Sequence, residues 1–208
     1  MGSVITTVKG YICVPEGIIK DLDLTSAALW ACIFALTDKN TEEPGTKHIA
    51  QHTIGRWTGL TRETVNRNLP ILLENGYLTC ENKRPGFTSG YKITQKISLY
   101  AISEAKKTEI KFRIGNFIPV FRYLTDDCNL SLVEAAVYGA LYRNENNPVF
   151  NRRQLTAPEI AGFLNLSNDT INRVARKLIH CDMIEKTTKN YDKIKYYEIK
   201  KTQDNFDD

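Results

Sequence analysis

The chain has 208 residues, is 42% hydrophobic and 25% charged, and carries a formal net charge of +4. That length allows one large core or two small ones. No apolar run approaches the ~18 residues of a membrane span, and the five cysteines (Cys13, Cys32, Cys80, Cys128, Cys181) form no CxxC pair, which argues against a membrane protein, a disulfide framework and a zinc ribbon. The opening "MGSVITTVKGYICV" has no basic stretch leading into a long apolar one, so no secretory signal is expected and the protein is read as cytoplasmic. Residues 1–104 hold 11 basic and 10 acidic side chains, and residues 105–208 hold 17 and 14. This mild basic bias suits a polyanion partner without proving one.

In chain order, Val14-Pro15 is a short segment leading to a helix that Thr25 is expected to cap, with the apolar run "AALWACIF" at 27–34. The polar loop "DKNTEEPGT" follows, then a second helix expected over 47–58. "TGL" makes a tight turn. Thr61 caps a third helix whose core stripe is Val65, Leu69, Leu72 and Leu73. Beyond it the period shifts from 3.6 toward 2, and "YLTCENKRPGFTSGYKITQ" reads as a β-hairpin. The stretch 97–115 has no Pro-rich or Gly/Ser-rich composition and is expected to be an ordered connector, helical around 101–108. The order then recurs. Ile118-Pro119 leads in, Ser131 and Glu134 form a capping box, and "AAVYGALY" at 135–142 continues the helix. A helix over 157–164 has Thr156 as cap, Pro158 in its first turn and Glu159 at the box position. "LNL" turns the chain, Ser167 caps a helix with the stripe Ile171, Ala175, Leu178 and Ile179, and "MIEKTTKNYDKIKYYEIK" makes a second hairpin.

The recurrence is literal in places. "TRETVNR" at 61–67 returns as "SNDTINR" at 167–173, and 54–78 aligns with 160–184 without a gap, matching Ile54 with Ile160, Trp57 with Phe163, Leu60 with Leu166, Val65 with Ile171 and Leu78 with Ile184. Two copies of one supersecondary unit are implied. The expected fold is α+β, mainly α, with a first domain at 10–100, a connector at 101–115, a second domain at 116–200 and an acidic tail at 201–208. "LTRETVNRNLPILLENGYL" resembles the turn, recognition helix and wing entry of bacterial winged-helix DNA-binding domains. Two such units in one short chain are similar to plasmid replication initiator proteins and phage replisome-organiser proteins. The resemblance implies two winged helix-turn-helix domains in tandem, each a helix, a helix-turn-helix and a β-hairpin wing. It further implies a bacterial or phage-encoded protein that binds double-stranded DNA in replication initiation or its control, with a second copy of the chain or replication proteins as further partners. Two other functions compete: a transcriptional regulator of a mobile element, and a winged-helix module that binds protein, which the near-neutral first half keeps open.

A third helix capped by Thr61 or Ser167 presents backbone N–H groups and the positive end of its dipole to phosphate. Off its core stripe the first copy carries Arg62, Glu63, Asn66, Arg67 and Asn68; the second carries Asn168, Asp169, Asn172, Arg173, Arg176 and Lys177. Arg suits guanine edges and Asn suits adenine edges, because each pairs there through two hydrogen bonds. Lys83 and Arg84 in one hairpin, and Lys186, Lys189, Lys193 and Lys195 in the other, suit phosphate. One such helix face is often merely solvated, and hairpin lysines often only keep an edge soluble. Two faces in register, with caps and hairpins behind them, favour the DNA reading. Pro70 is expected to kink the first third helix near Asn66, leaving the second copy as the stronger binder. His48 and His52 are spaced for a metal on a helix, but Gln51 stands where the inverted H-x-x-E-H metalloprotease motif needs Glu and no third ligand is evident. Asp126-Asp127 reads as a helix-start cluster. No P-loop, GxSxG or GxGxxG occurs, so neither an enzyme nor a cofactor is expected.

Overall fold

The computed structural model describes residues 10–36, 47–81, 90–93, 117–145, 154–188 and 195–200. The expected connector at 101–115, its helix and the tail at 201–208 lie outside the described residues. Two halves run through the same order of elements. The first comprises β1 (Tyr11–Pro15), α1 (Glu16–Asp21), α2 (Leu24–Leu36), β2 (Lys47–His48), α3 (Gln51–Thr58), α4 (Arg62–Glu74), β3 (Leu78–Glu81) and β4 (Gly90–Ile93). The second comprises β5 (Phe117–Phe121), α5 (Arg122–Asp126), α6 (Leu132–Glu145), β6 (Leu155–Thr156), α7 (Ala157–Leu164), α8 (Asn168–His180), β7 (Ile184–Thr188) and β8 (Lys195–Ile199). The fold is α+β and mainly helical, and among the described residues no helix is long and apolar enough to cross a membrane.

Each half is built around a helix that is apolar nearly all round, as a fully enclosed helix must be. In α2 every residue from Ser26 to Ile33 is buried; in α6 the buried run is Ala135 to Leu141. Their starts are capped differently. Ser131 and Glu134 close the expected box, with the Ser131 N–H 2.9 Å from the Glu134 carboxylate. Thr25, expected as the cap of α2, lies inside the helix instead. Asp23 is the acceptor, taking the Ser26 N–H at 2.7 Å and the Ser26 hydroxyl at 3.2 Å. Asp23 accepts the two through separate carboxylate oxygens, Oδ1 and Oδ2.

Two further expectations change. The second helix of the first half begins at Gln51, not at 47, because Lys47 and His48 pair with Tyr91 and Gly90 as a third strand on the hairpin. β6 does the same in the second half, giving the sheets β2-β4-β3 and β6-β8-β7. His48 and His52 therefore do not share a helix. Asp126 and Asp127 close α5 rather than open a helix, with Asp126 held by Arg122 at 2.7 Å. The helix α4 has 13 residues with the exposed Pro70 inside it, the same length as α8.

The segments expected only to lead into each copy prove to be the join between them. β1 and β5 pair antiparallel, with Tyr11 opposite Phe121, Cys13 opposite Pro119 and Pro15 opposite Phe117. Strand and helix starts place Tyr11-Ile12-Cys13-Val14-Pro15 against Phe117-Ile118-Pro119-Val120-Phe121, 106 positions on. Val14 thus corresponds to Val120, two residues beyond the match that the X-Pro signature suggested. The signature misled because both prolines are tolerated for one local reason. The Arg122 N–H donates to the Gly10 carbonyl at 2.6 Å, and pairs alternate along an antiparallel ladder. That puts Pro15 and Pro119 both at non-hydrogen-bonded positions, where a missing N–H costs the ladder nothing. Ile12, Val14, Ile118 and Val120 are at most 1% exposed and belong to one buried cluster that runs through both halves. Burying each such side chain contributes about 1.5–3 kcal/mol.

Candidate nucleic-acid interface

α4 and α8 are prepared in the same way at both ends. Ahead of each, a left-handed residue turns the chain: Gly59 at φ 69° and Asn165 at φ 51°, residue types that reach this region at low cost. Leu60 and Leu166 then donate their N–H groups back to Gly55 and Ala161, each at 3.1 Å. Thr61 Oγ1 accepts the Thr64 N–H and Ser167 Oγ accepts the Thr170 N–H, both at 3.2 Å. The cap hydroxyls also meet the hydroxyls of Thr64 and Thr170, at 3.0 and 2.9 Å. At the far ends Gly76 (φ 70°) and Asp182 (φ 61°) take the left-handed position, and Tyr77 and Met183 return N–H groups to Leu72 and Leu178. Such closures satisfy carbonyls a helix end would leave open. The two helices are fixed in length and phase, so the side chains of their first turns point where the caps direct them.

Of the residues expected to meet DNA, Thr61, Arg62, Asn66 and Arg67 on α4 and Ser167, Asn168, Arg173, Arg176 and Lys177 on α8 are exposed. The side chains of Arg62, Asn66, Arg67, Asn168 and Arg173 make no hydrogen bond or ion pair with another described residue. Asn68 is a correction. It is 6% exposed and its Nδ2 donates to the Thr64 carbonyl at 2.7 Å. Position 68 lies seven residues beyond the cap, on the stripe that carries Val65 and Leu72, so it faces the core. The side-chain amide spends itself on its own helix. Asn172 is half-buried, and its Oδ1 accepts from the Tyr197 hydroxyl at 3.0 Å, which holds the amide in place. Lys177 is held by Glu134 at 2.8 Å. Burial pushes the Glu134 carboxyl up, but the hydrogen bonds from Lys177 and Ser131 outweigh it, and the carboxyl sits below its usual value. Arg176 Nε donates to the Asn172 carbonyl at 3.3 Å along the helix.

Lys186 is exposed on β7. Lys195 opens β8. Lys83, Arg84, Lys189 and Lys193 lie outside the described residues. No family model matches the chain, and no curated protein matches it.

Between the halves runs an open cleft of about 640 Å³. Gln51, Arg56 and Arg62 line one side; Asn129, Ser131 and Lys177 line the other. Arg56 was not singled out in the sequence because it lies on α3, outside the repeated phrase. Its signal was only a cation on an exposed helix face. All five cysteines are free, and Cys32, wholly buried in α2, has its thiol pushed up to about 12 by that burial. Among the described residues no three His, Cys, Asp or Glu side chains come together as metal ligands would.

Proposed function

We propose that the chain binds double-stranded DNA with sequence preference, using α4 and α8 as the major-groove helices of two winged helix-turn-helix units. The β3-β4 and β7-β8 hairpins are then the wings. The observation that carries this reading is the repetition of one presentation: a Thr or Ser cap after a left-handed turn, then uncommitted Arg and Asn side chains on the first two turns. Arg67 and Arg173 occupy the same position in each helix and supply the guanine-reading guanidinium. The free N–H groups at each capped start supply phosphate contacts. The process in which this binding acts, replication initiation of a plasmid- or phage-type element or its control, is read from the two-unit architecture.

The test is affinity for duplex DNA from the native locus as a function of salt. Phosphate contacts release counterions, so log affinity should fall steeply and linearly with log salt. Arg173→Ala should weaken specific binding by about 1–3 kcal/mol while the melting temperature holds. Salt-insensitive binding, or none, overturns the proposal. Footprinting of the same locus separates iterated origin repeats from a promoter.

A further inference from the structure

The two halves are related by an internal two-fold axis, seen in the β1-β5 ladder and again where α3 packs on α5 and α7 packs on α1. In the β1-β5 ladder each residue i of β1 lies opposite the counterpart of residue 26 − i, so Cys13 faces its own counterpart Pro119 at the centre. Ile12 faces Val120 while Val14 faces Ile118, an exchange of partners that a two-fold axis produces and a translation does not. The turns before α4 and α8 repeat the exchange. Asn165 donates to the Ile19 carbonyl at 3.5 Å. Its counterpart Gly59 approaches Thr125, the counterpart of Ile19, so closely that an added Cβ would lie 3.1 Å from the threonine methyl. The aromatic partners of α3 and α7 follow. Arg122 lies 5.2 Å over Trp57. At the related place the counterpart of Arg122 is Glu16, and this acid instead holds Arg143, which lies 4.5 Å over Phe163, the counterpart of Trp57.

We infer that the DNA site of this single chain is an inverted pair of unequal half-sites, not a direct repeat. The inference rests on the DNA-binding reading above. A tandem repeat in sequence invites the expectation of two half-sites in the same orientation. A two-fold axis between α4 and α8 instead presents their N-terminal turns to half-sites on opposite strands, as symmetric dimers do with two chains. The cleft between the halves is bordered by Arg62 in the first turn of α4 and by Lys177 in the last turn of α8. The half-sites share what Asn66-Arg67 and Asn172-Arg173 share. They differ where Arg62-Glu63 is replaced by Asn168-Asp169 and where the Tyr197 hydroxyl restrains Asn172. An inverted site read by one asymmetric chain has a polarity, which a homodimer on a palindrome lacks.

The experiment is selection of bound duplexes from a random library by the full chain, repeated with Arg67→Ala and Arg173→Ala. Both variants replace exposed side chains, and matching melting temperatures establish that they fold. Each is expected to relax preference at one position, the two positions lying on opposite strands and mirrored about the site centre. Reversing one half-site in place, or inserting about five base pairs, half a helical turn, is expected to lower affinity at least tenfold. Relaxed positions on the same strand at a constant offset, or one position relaxed by both variants, overturn the inference while leaving DNA binding standing. Failure to enrich any duplex overturns both.

Discussion

Asn68 and Arg67 are neighbours on α4 with opposite fates. Arg67 is exposed, and Asn68 spends its amide on the Thr64 carbonyl. Asn68→Ala is therefore expected to lower stability by about 1 kcal/mol with DNA affinity unchanged, whereas Arg67→Ala does the reverse; melting and titration of the two variants separate the roles. Spacing from the cap distinguishes these residues once the stripe is drawn through Val65, Asn68 and Leu72. A polar letter at a core position hid that stripe in the sequence. Glu134 gives a pH-dependent case. Its lowered carboxyl contributes stability above the ordinary glutamate value of about 4.3, and this is lost as pH falls through the depressed value. The melting temperature of Glu134→Gln should lie below that of the parent at pH 7, and the gap should close under acid.

At the scale of elements, the helices and hairpins were legible because caps and apolar periods are local. Thr156 with Pro158 and Glu159 marked α7 to the residue. β2 and β6 were not legible, since two-residue strands such as Lys47-His48 carry no period of their own and exist only by pairing with a hairpin. The β1-β5 pair was missed for the same reason at longer range. Its ladder makes two checkable statements. Cys13 and Pro119 face each other at a non-hydrogen-bonded position, where Cα atoms lie about 4.5 Å apart, within reach of a disulfide. Pro119→Cys should therefore oxidise to a bridge with Cys13, seen as a mobility shift without reductant that Cys13→Ser abolishes. Against the same strand, α6 passes so close that a Cβ on Gly139 would lie 1.8 Å from the Pro119 carbonyl oxygen. Both atoms belong to backbone or sit directly on it, so neither can swing aside. Gly139→Ala should cost at least the about 1–3 kcal/mol typical of overpacking, read by thermal or denaturant unfolding.

Over the whole molecule, the two halves share one buried cluster. Arg143 on α6 reaches Glu16 on α1, the Phe117 carbonyl at 3.4 Å and the ring of Phe163. Its side chain is 8% exposed and that of Glu16 16%, so the pair is well desolvated. Arg143→Met leaves an acid half-buried without its partner and is expected to cost about 3–5 kcal/mol, while Arg143→Met with Glu16→Gln recovers part of the loss. A single unfolding transition, by calorimetry, is the expected baseline. The sequence repeat made the two units visible but not their relation. A two-fold axis leaves no trace in the order of letters, since the same alignment serves copies related by translation or rotation.

The central strand pair also sets a timetable. β1 is made first, yet its partner ends at Phe121, and at about 5–20 residues per second roughly 5–20 s of synthesis separate them. Throughout that interval Ile12 and Val14 have no strand beside them, an open edge of the kind that recruits other chains. A ribosome stalled after the first hairpin therefore holds a half-molecule that is sticky rather than a finished domain waiting for its twin. The join that gives the folded protein its symmetry makes its birth asymmetric.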